Sequence, residues 1–339
     1  MTSTERVFPA PPPDLNRLDR RDEYIRLFTD TEFFRPALEE ICRRHALAPC
    51  ARLRVGVPGT CPVFILEERW LVKFFGRLFD GARSFDVERA AAQILAAHPR
   101  IPAPALLASG RLALPGVDWD WPYLVFDFIP SLSLGEARAQ VSFAGQLHLA
   151  GELGAWMAEL HAAPLPPGGP FEPDWQGYLA FLEEQQAGCM QCHAGWGSLP
   201  AHLVQQIEAY LPPGEHLRLP AERPHLIHAD LTQDHLLGRL EGGRWTSLAL
   251  IDFGDARTGS LFYELPALHF SLFGGDKRLL SAFLQGYRYA GPTGEDFACR
   301  AMACALLHQF DVFSETALHP DWRDAATLEQ AANILWRVD

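Results

Sequence analysis

The strongest constraint on the fold of this chain is a change in its hydrophobic pattern near Pro130. Upstream, short apolar runs such as VFIL and WLVKFF alternate with turn residues, a pattern typical of strands. The segment FDVERAAAQILAAH (85–98) instead has apolar residues at helical spacing, and Ser84 is its expected N-cap. Downstream of Pro130, helical patterns dominate. We therefore predict an α+β fold, with a strand-rich first part that contains one embedded helix and a helical second part.

The same patterns predict two lobes that enclose a cleft. We expect an N-terminal arm over 1–20, a small β-rich lobe over 21–128 and a larger helical lobe over 129–339, with a hinge near 128–133. The stretch 225–251 interrupts the helical pattern, because it contains two short strand patterns, each attached to a cluster of polar residues. Helices are expected at 22–48 (one or two), 146–162, 175–187, 198–211, 261–273, 276–290, 294–316 and 322–337.

The charge of the chain is concentrated in its second part. Residues 1–127 contain 17 acidic and 17 basic side chains, so the remainder carries the whole net charge of −13. This distribution argues against nucleic acid as a partner, because phosphate backbones attract basic surfaces. It is compatible with a cationic substrate, although acidic faces also commonly serve only to keep a protein solvated.

The sequence predicts neither a membrane segment nor an export signal. No apolar run approaches the ~18 residues of a membrane-spanning helix, and the polar, proline-rich N-terminus has no apolar signal core. We expect a cytoplasmic protein, monomeric or homodimeric, with no membrane partner. The odd number of cysteines, seven, does not form a disulfide framework, which suits a reducing compartment.

The stretch CMQCH (189–193) has the spacing of a haem-attachment motif. Covalent haem attachment normally needs export, and a zinc site needs about four ligands with a second paired cluster. The sequence shows neither feature, so we interpret the stretch as a loop or helix end with incidental thiols.

Four elements, in a fixed order along the chain, indicate phosphoryl transfer. They are a strand lysine, a helix glutamate, a His-x-Asp loop and an aspartate after an apolar strand: Lys73, Glu88, His228 with Asp230, and Asp252. Phosphoryl transfer needs an ammonium for the phosphates, oxygen ligands for magnesium and a carboxylate that orients the accepting hydroxyl. Each residue alone has an ordinary explanation, such as an edge lysine that reaches water. Together they follow the order of the protein-kinase fold.

The chain resembles the aminoglycoside phosphotransferase family, related to choline kinases and other small-molecule kinases, over roughly residues 50–290. LIHADLTQDHLL stands where that family has its catalytic loop, and LALIDFGDARTGSLFYEL where it has its metal-binding aspartate. YLVFDFIPSLSLGE resembles the hinge, and LGAWMAELH the helix after it. ELPALHFSLFGGDKRLLSAFLQGY resembles an uncharacterised subgroup of the family, so this likeness indicates no substrate.

The resemblance implies a protein-kinase-like fold and a role for each matching residue. Asp230 would be the catalytic carboxylate for the substrate hydroxyl, with His228 bracing its loop. Asp252 would be the principal ligand of Mg²⁺, with Mn²⁺ as an alternative ion. Lys73 would bind the phosphates of ATP or GTP, and Glu88 would hold Lys73 in place. Backbone groups of three hinge residues would bind the nucleotide base: Phe126, Asp127 and Phe128.

Two positions depart from the family pattern. Most members have asparagine as the second metal ligand where this chain has His235, and imidazole is a poor match for the hard Mg²⁺ ion. Some aminoglycoside 2″-phosphotransferases also have histidine there, so the change affects metal preference without implying inactivity. Glu264 replaces a family aspartate, and we expect Glu264 and Asp255 to shape the substrate site. The nucleotide-covering loop RVGVPGTCPV lacks a G-x-G-x-x-G pattern, as is usual for this family.

We therefore expect a nucleotide-dependent kinase that phosphorylates a hydroxyl of a small molecule, with a cationic or amino-bearing acceptor such as an aminoglycoside favoured. Two alternatives stay open. His235 is compatible with a pseudokinase-like module that binds a nucleotide or ligand without transferring phosphate. A metal-dependent hydrolase could instead bind zinc or iron through His228, Asp230, His235 and Asp252.

Overall fold

The computed structural model describes residues 25–26, 28–57, 59–113, 119–219, 221–318 and 320–338. The predicted arm over 1–20 lies outside these residues. The chain divides into two compact units. The first unit comprises the described residues up to Ala97, Ala103–Pro130 and Asp252–Gly254; the second comprises His98–Pro102, Ser131–Ile251 and the described residues from Asp255 onward. The mixture of helices and strands confirms the predicted α+β class.

The first unit is built on a five-stranded antiparallel sheet, with strands β1 (Leu53–Val55), β2 (Val63–Leu66), β3 (Trp70–Phe74), β4 (Leu106–Ala113) and β5 (Asp120–Asp127). Their order in the sheet is β1-β2-β3-β5-β4. Lys73 pairs with Val63 on one side and with Leu124 on the other. It therefore lies in the central strand of the sheet and not at an edge.

Helix α1 (Thr31–Arg44) packs an apolar face into the core of the first unit. Its apolar residues recur at three- and four-residue spacing, so Phe34, Leu38 and Ile41 lie on the same face. The Phe34 ring centroid lies 4.8 to 5.6 Å from those of three aromatic side chains: Phe64, Phe74 and Trp121. Truncating such a ring to alanine typically costs about 3–5 kcal/mol, so α1 contributes substantially to the stability of this unit.

Helix α2 (Gly81–Ala96) begins one turn earlier than its sequence predicts. The expected N-cap, Ser84, lies inside the first turn. The helix is preceded by Asp80, which has a φ of +51° and no side-chain capping bond. A Cβ atom at Gly81 would overlap the carbonyl oxygen of Gly76, so only glycine allows this approach. A close backbone contact, and not a cap, therefore sets the start of α2.

The second unit is mainly helical, as predicted. Its α-helices are α3 (Leu134–Ala137), α4 (Phe143–Ala162), α5 (Gln176–Trp196), α6 (Ala201–Val204), α7 (Ile207–Tyr210), α8 (Leu261–Ala267), α9 (Lys277–Tyr287), α10 (Glu295–Leu306) and α11 (Leu328–Trp336). Helices α4 and α9 pack with their backbones in contact, because a Cβ atom at Gly154 or Gly286 would overlap the backbone of the facing helix. Within the described ranges, no helix combines the length and apolar character needed to cross a membrane.

Several helix boundaries differ from the predictions. Helix α5 continues to Trp196, and two short helices replace the one expected at 198–211. The π-helical segment Leu268–Leu272 follows α8, α10 already ends at Leu306, and α11 begins only at Leu328. Local patterns therefore predict the existence of these helices better than the residues at which they begin and end.

Short strands of the second unit carry the polar loops. β7 (His225–Ile227) pairs with β10 (Arg257–Gly259), and β8 (Leu236–Glu241) pairs with β6 (Leu132–Ser133) and β9 (Arg244–Leu250). The loop 228–235 therefore runs from β7 to β8, and β9 leads towards Asp252. Strands occur in both patterns predicted within 225–251, but the first pattern contains β7 and the start of β8, so this stretch has three strands and not two.

Candidate active site

Lys73 is the centre of a group of charged side chains in the first unit. Its Nζ atom donates to Oε2 of Glu88 and to Oδ1 of Asp252, each at 2.7 Å. β3 supplies the lysine, α2 supplies the glutamate, and the segment after β9 supplies the aspartate. The structure thus brings together three of the residues that the sequence singled out.

The surroundings of Lys73 keep its ammonium charged and fixed. Burial by itself lowers the pKa of Lys73, but the negative charges of Asp252 and Glu88 outweigh burial and hold the pKa well above its ordinary value. The Nζ atom also lies 5.3 Å from the ring centroid of Phe75. The Lys73 side chain is only 11% exposed, whereas that of Asp252 is 43% exposed. A fixed positive charge beside an accessible carboxylate is suited to binding a phosphate together with a metal ion.

Asp252 is the residue of this group that would offer a carboxylate oxygen to a metal ion. Its φ of +64° lies in the left-handed region, so the chain turns sharply after β9. This conformation costs a non-glycine residue about 1–2 kcal/mol. Among the described residues, no group of three or more His, Cys, Asp or Glu side chains is arranged to hold a metal ion. Mg²⁺ commonly takes one or two carboxylates and completes its shell with water and nucleotide phosphates, so Asp252 fits such an ion.

Both ring nitrogens of His228 shape the loop between β7 and β8. Nε2–H donates to the carbonyl oxygen of Ile251 at 2.9 Å, and Nδ1 accepts the N–H of Asp230 at 3.3 Å. Ala229 lies between His228 and Asp230 with a φ of +66°. The Asp230 side chain is 22% exposed, so a hydroxyl group can reach its carboxylate. A metal-dependent hydrolase that uses His228 as a ligand is incompatible with these bonds.

Glu264 is a buried residue that contacts the backbone of the same loop. Its Oε2 atom accepts the N–H of His228 at 2.6 Å, and its side chain is fully buried. Burial raises the pKa of Glu264, and the neighbouring His228 partly offsets that rise. The residue lies in the first turn of α8, which Ser260 caps. A side chain buried to this degree cannot contact a substrate directly, so Glu264 would shape the substrate site only through the loop 228–235.

His235 closes the loop 228–235. Its Nδ1–H donates to the carbonyl oxygen of Asp230 at 2.5 Å, and its ring stacks on that of His228 with centroids 5.5 Å apart. Because a carbonyl oxygen only accepts, Nδ1 carries a proton, and a metal ion would have to bind at Nε2. His235 would therefore offer a metal ion a nitrogen ligand, which suits Mn²⁺ or Zn²⁺ better than Mg²⁺.

The backbone donors expected to bind a nucleotide base are already used within the first unit. The N–H of Asp127 donates to the Ala105 carbonyl at 3.0 Å, and the N–H of Phe128 donates to the Arg69 carbonyl at 2.8 Å. Phe126 is buried in a core cluster and lies in the ladder of β5. A base would therefore use carbonyl groups here, or the residues that follow, in place of these N–H groups.

Asp255 lies in a polar network that the sequence did not predict. Its Oδ1 atom accepts a hydrogen bond from Nε2 of Gln309 at 3.0 Å, and Oε1 of Gln309 accepts one from Arg257 at 2.9 Å. The Arg257 guanidinium lies 3.5 Å from the ring centroid of Phe181. Gln309 and its neighbour His308 belong to no motif. The sequence feature that could have indicated a role for them is a pair of polar residues between apolar residues in ALLHQFDVF.

The CMQCH stretch lies near the C-terminal end of α5, with His193 in the last turn, and not in a loop. Cys189 and His193 are buried, and both donate to the carbonyl oxygen of Leu306, at 3.2 and 2.9 Å. Cys192 is exposed on the same helix. The stretch therefore connects α5 to the end of α10, a structural role that needs no metal or haem.

Comparisons with known proteins agree with this geometry. A model of the phosphotransferase enzyme family matches residues 62–300. The GDP complex of wild-type aminoglycoside 2′-phosphotransferase-IIIa is 17% identical, has a TM-score of 0.58 and covers 87% of this chain and 95% of that chain. Spectinomycin phosphotransferase in complex with ADP and spectinomycin is 11% identical, with a TM-score of 0.53 and coverages of 87% and 96%. The microcompartment-associated aminopropanol kinase is 17% identical, with a TM-score of 0.51 and coverages of 88% and 93%. These likenesses confirm the predicted protein-kinase-like fold.

Proposed function

The chain belongs to the phosphotransferase enzyme family, and on that premise we propose that it transfers the γ-phosphoryl group of ATP or GTP to a hydroxyl group of a small molecule. The contact of Lys73 with Glu88 and Asp252, at 2.7 Å each, carries this proposal. Apolar side chains of similar volume usually stabilise a protein as well as a buried ion group does. The presence of the ion group therefore favours a functional explanation.

Lys73 and Asp252 would act on the phosphate groups of the nucleotide. The ammonium would donate hydrogen bonds to phosphate oxygens, while Glu88 keeps it in place. Asp252 would hold Mg²⁺ or Mn²⁺, which when bound neutralises charge on the phosphates. Because Lys73 is already fixed by its two carboxylate partners, little side-chain entropy would be lost when a nucleotide binds.

Asp230 would orient the hydroxyl of the acceptor and take up its proton. A carboxylate does this only if its position is well defined, and the loop provides that definition. The N–H of Asp230 donates to the ring of His228, and its carbonyl accepts from the ring of His235. Glu264 in turn anchors the backbone of His228. These bonds hold the loop on both sides of the catalytic carboxylate.

We further propose that the acceptor is a cationic or amino-bearing alcohol. The net charge of −13 belongs to residues beyond 127, so the unit that carries Asp230 is acidic. The structures with a similar fold are named for kanamycin or spectinomycin complexes and for an aminopropanol kinase. All three compounds carry both amino and hydroxyl groups.

A turnover assay tests the proposal. The purified chain is incubated with ATP or GTP, with Mg²⁺ or Mn²⁺, and with a panel of aminoglycosides, amino sugars and hydroxylated amines, and phosphorylated products are detected by mass spectrometry. We expect Asp230→Ala to lower kcat by about 100-fold or more. Asp234→Asn is the matched control, because Asp234 is an exposed carboxylate on the same loop and an amide still accepts the bond from Ser133. Full turnover in both Asp230→Ala and Asp252→Ala would show that this site assignment is wrong.

A binding module without transfer activity is the second candidate, and His235 is the observation that favours it. An imidazole nitrogen in place of an amide oxygen weakens the case for a tight Mg²⁺ site. Such a module would bind nucleotide, measured by calorimetry, with equal affinity in the wild type and in Asp230→Ala, and would form no product with any metal ion. Product formation that depends on Asp230 excludes it.

A further inference from the structure

His308 makes a hydrogen bond to the residue that precedes the predicted catalytic aspartate. It lies just beyond α10, outside the residues 62–300 that match the family model. Its Nε2–H donates to the carbonyl oxygen of Ala229 at 3.0 Å, and its Nδ1 accepts the N–H of Phe310 at 3.2 Å. The ring is 1% exposed and stacks on Tyr263, with centroids 5.1 Å apart and planes 18° apart. Both ring nitrogens and one face are therefore held.

The partner of this hydrogen bond is a strained residue. Ala229 has a φ of +66°, which costs an alanine about 1–2 kcal/mol relative to ordinary backbone. Strain of this kind persists only where the surroundings hold it in place. Glu264 accepts the N–H of His228 on one side of Ala229. His308 donates a hydrogen bond to the carbonyl oxygen of Ala229 itself. The direction in which Asp230 leaves the turn depends on both contacts.

The next residue, Gln309, holds a second functional segment. Its backbone N–H donates to the hydroxyl of Tyr263 at 3.0 Å, so its position is coupled to the ring on which His308 stacks. Its side chain joins Asp255 and Arg257 at 3.0 and 2.9 Å. Two consecutive residues thus connect the loop 228–235 with the segment that begins at Asp255.

We propose that His308 and Gln309 form a clamp that positions Asp230 for catalysis by fixing the Ala229 carbonyl relative to the Asp255–Arg257 segment. The proposal rests on the proposed kinase function, because it assigns these two residues a role in that reaction. Both would act through other residues, His308 through the Ala229 carbonyl and Gln309 through Asp255 and Arg257, so both are positioning residues. A purely structural role in the core predicts a loss of stability without a selective loss of kcat.

His269 provides a matched control. It is also a fully buried histidine in the second unit, and its Nε2–H donates to a backbone carbonyl, that of Leu335, at 3.0 Å. Its ring lies 4.6 Å from that of Trp336, so it too is packed against an aromatic side chain. Replacing either histidine removes similar packing and a hydrogen bond from the ring to a backbone carbonyl, and replacing His308 also removes the bond that its Nδ1 accepts from Phe310. His308 donates its hydrogen bond to the loop that carries Asp230, whereas His269 donates its hydrogen bond to Leu335 in α11.

The first readout compares kcat and KM in three variants of His308 with those of His269→Leu. His308→Gln places an amide N–H near the position of Nε2, whereas His308→Asn preserves an acceptor near Nδ1. We expect kcat to fall about 10- to 100-fold in His308→Leu and His308→Asn, with little change in the nucleotide KM, because a small displacement of a catalytic group has an effect of that size. His308→Gln should recover most of the loss. Equal kcat values in His308→Leu, His308→Asn and the His269 control overturn the proposal.

The second readout, hydrogen exchange of backbone amides measured by mass spectrometry, does not depend on turnover. Loss of the clamp should accelerate exchange in residues 228–235 in His308→Leu and His308→Asn, but not in His269→Leu or His308→Gln. Unchanged exchange in the loop of His308→Asn overturns the clamp even if His308→Leu fails to fold. If the wild type turns over no acceptor in the panel, the proposed function fails, and the exchange data alone decide whether His308 holds the loop.

Discussion

Replacing Lys73 with methionine should separate the stability of the first unit from its catalytic function. Methionine fills the space in β3 with a similar apolar stem, but it removes the ammonium from Glu88, which is 6% exposed. Breaking one member of a buried ion pair costs about 3–5 kcal/mol, because the remaining charge stays in a poorly solvated site. Asp252 also loses this contact, but its side chain is 43% exposed and water compensates for the loss. We therefore expect the lower end of the range, about 3 kcal/mol.

The double variant Lys73→Met with Glu88→Leu tests the reasoning further. An apolar pair of similar volume often stabilises a protein as well as the ion pair it replaces, so most of the lost stability should return. Turnover should stay at least about 100-fold below that of the wild type, because no ammonium remains to bind the phosphates. Lys277→Met, the same change at the other lysine of the chain, should affect neither property.

Urea unfolding followed by tryptophan fluorescence measures the stability of these variants, and kcat/KM for the nucleotide measures the function. A midpoint for Lys73→Met equal to that of the wild type would refute the energetic argument. Wild-type turnover in the double variant would refute the role of Lys73 in phosphate binding. The two properties are measured separately, so each half of the prediction can fail by itself.

Three further predictions concern protons, metal ions and charge. Burial lowers the pKa of His308 to about 4 and that of His161 to about 3, whereas both rings protonate near pH 6.5 in the unfolded chain. The free energy of unfolding that these neutral rings contribute above pH 6.5 is therefore lost as the pH falls, by about 2 kcal/mol per ring at pH 5. Urea titrations at pH 7 and pH 5 measure this loss. His235→Asn should raise turnover with Mg²⁺ relative to Mn²⁺, since an amide oxygen is the harder ligand, and an unchanged ratio contradicts its role as a metal ligand. The KM of a cationic acceptor should rise with ionic strength while that of a neutral polyol stays constant, and equal responses would argue against attraction by the acidic unit.

The order of elements and the fold class could be predicted because they depend on local patterns. The apolar runs around Lys73 and before Asp252 are strands, and FDVERAAAQILAAH is a helix, as their spacing indicates. The start of α2 was predicted wrongly, because Ser84 is a good cap in isolation. The chain uses an earlier start, at Gly81, where a close contact with Gly76 decides the outcome.

Residue types alone could not show how buried polar groups are paired. Glu264 was expected near the substrate, yet it is buried beneath the loop and bonded to His228, 36 positions away. His308 reaches Ala229 across 79 positions, and no motif contains it. Such pairs depend on how α8 and α10 pack, and packing is a property of the whole second unit.

By itself, the sequence determined which segments become strands and helices, and in what order the lysine, glutamate and aspartates occur along the chain. Periodicity and turn chemistry act between near neighbours, so a linear pattern is enough to reveal them. The tertiary structure decided that Lys73 contacts both Glu88 and Asp252, and that His228, Glu264 and His308 together hold one loop. A buried polar group must find its partner wherever packing places one, and those partners lie far away in sequence.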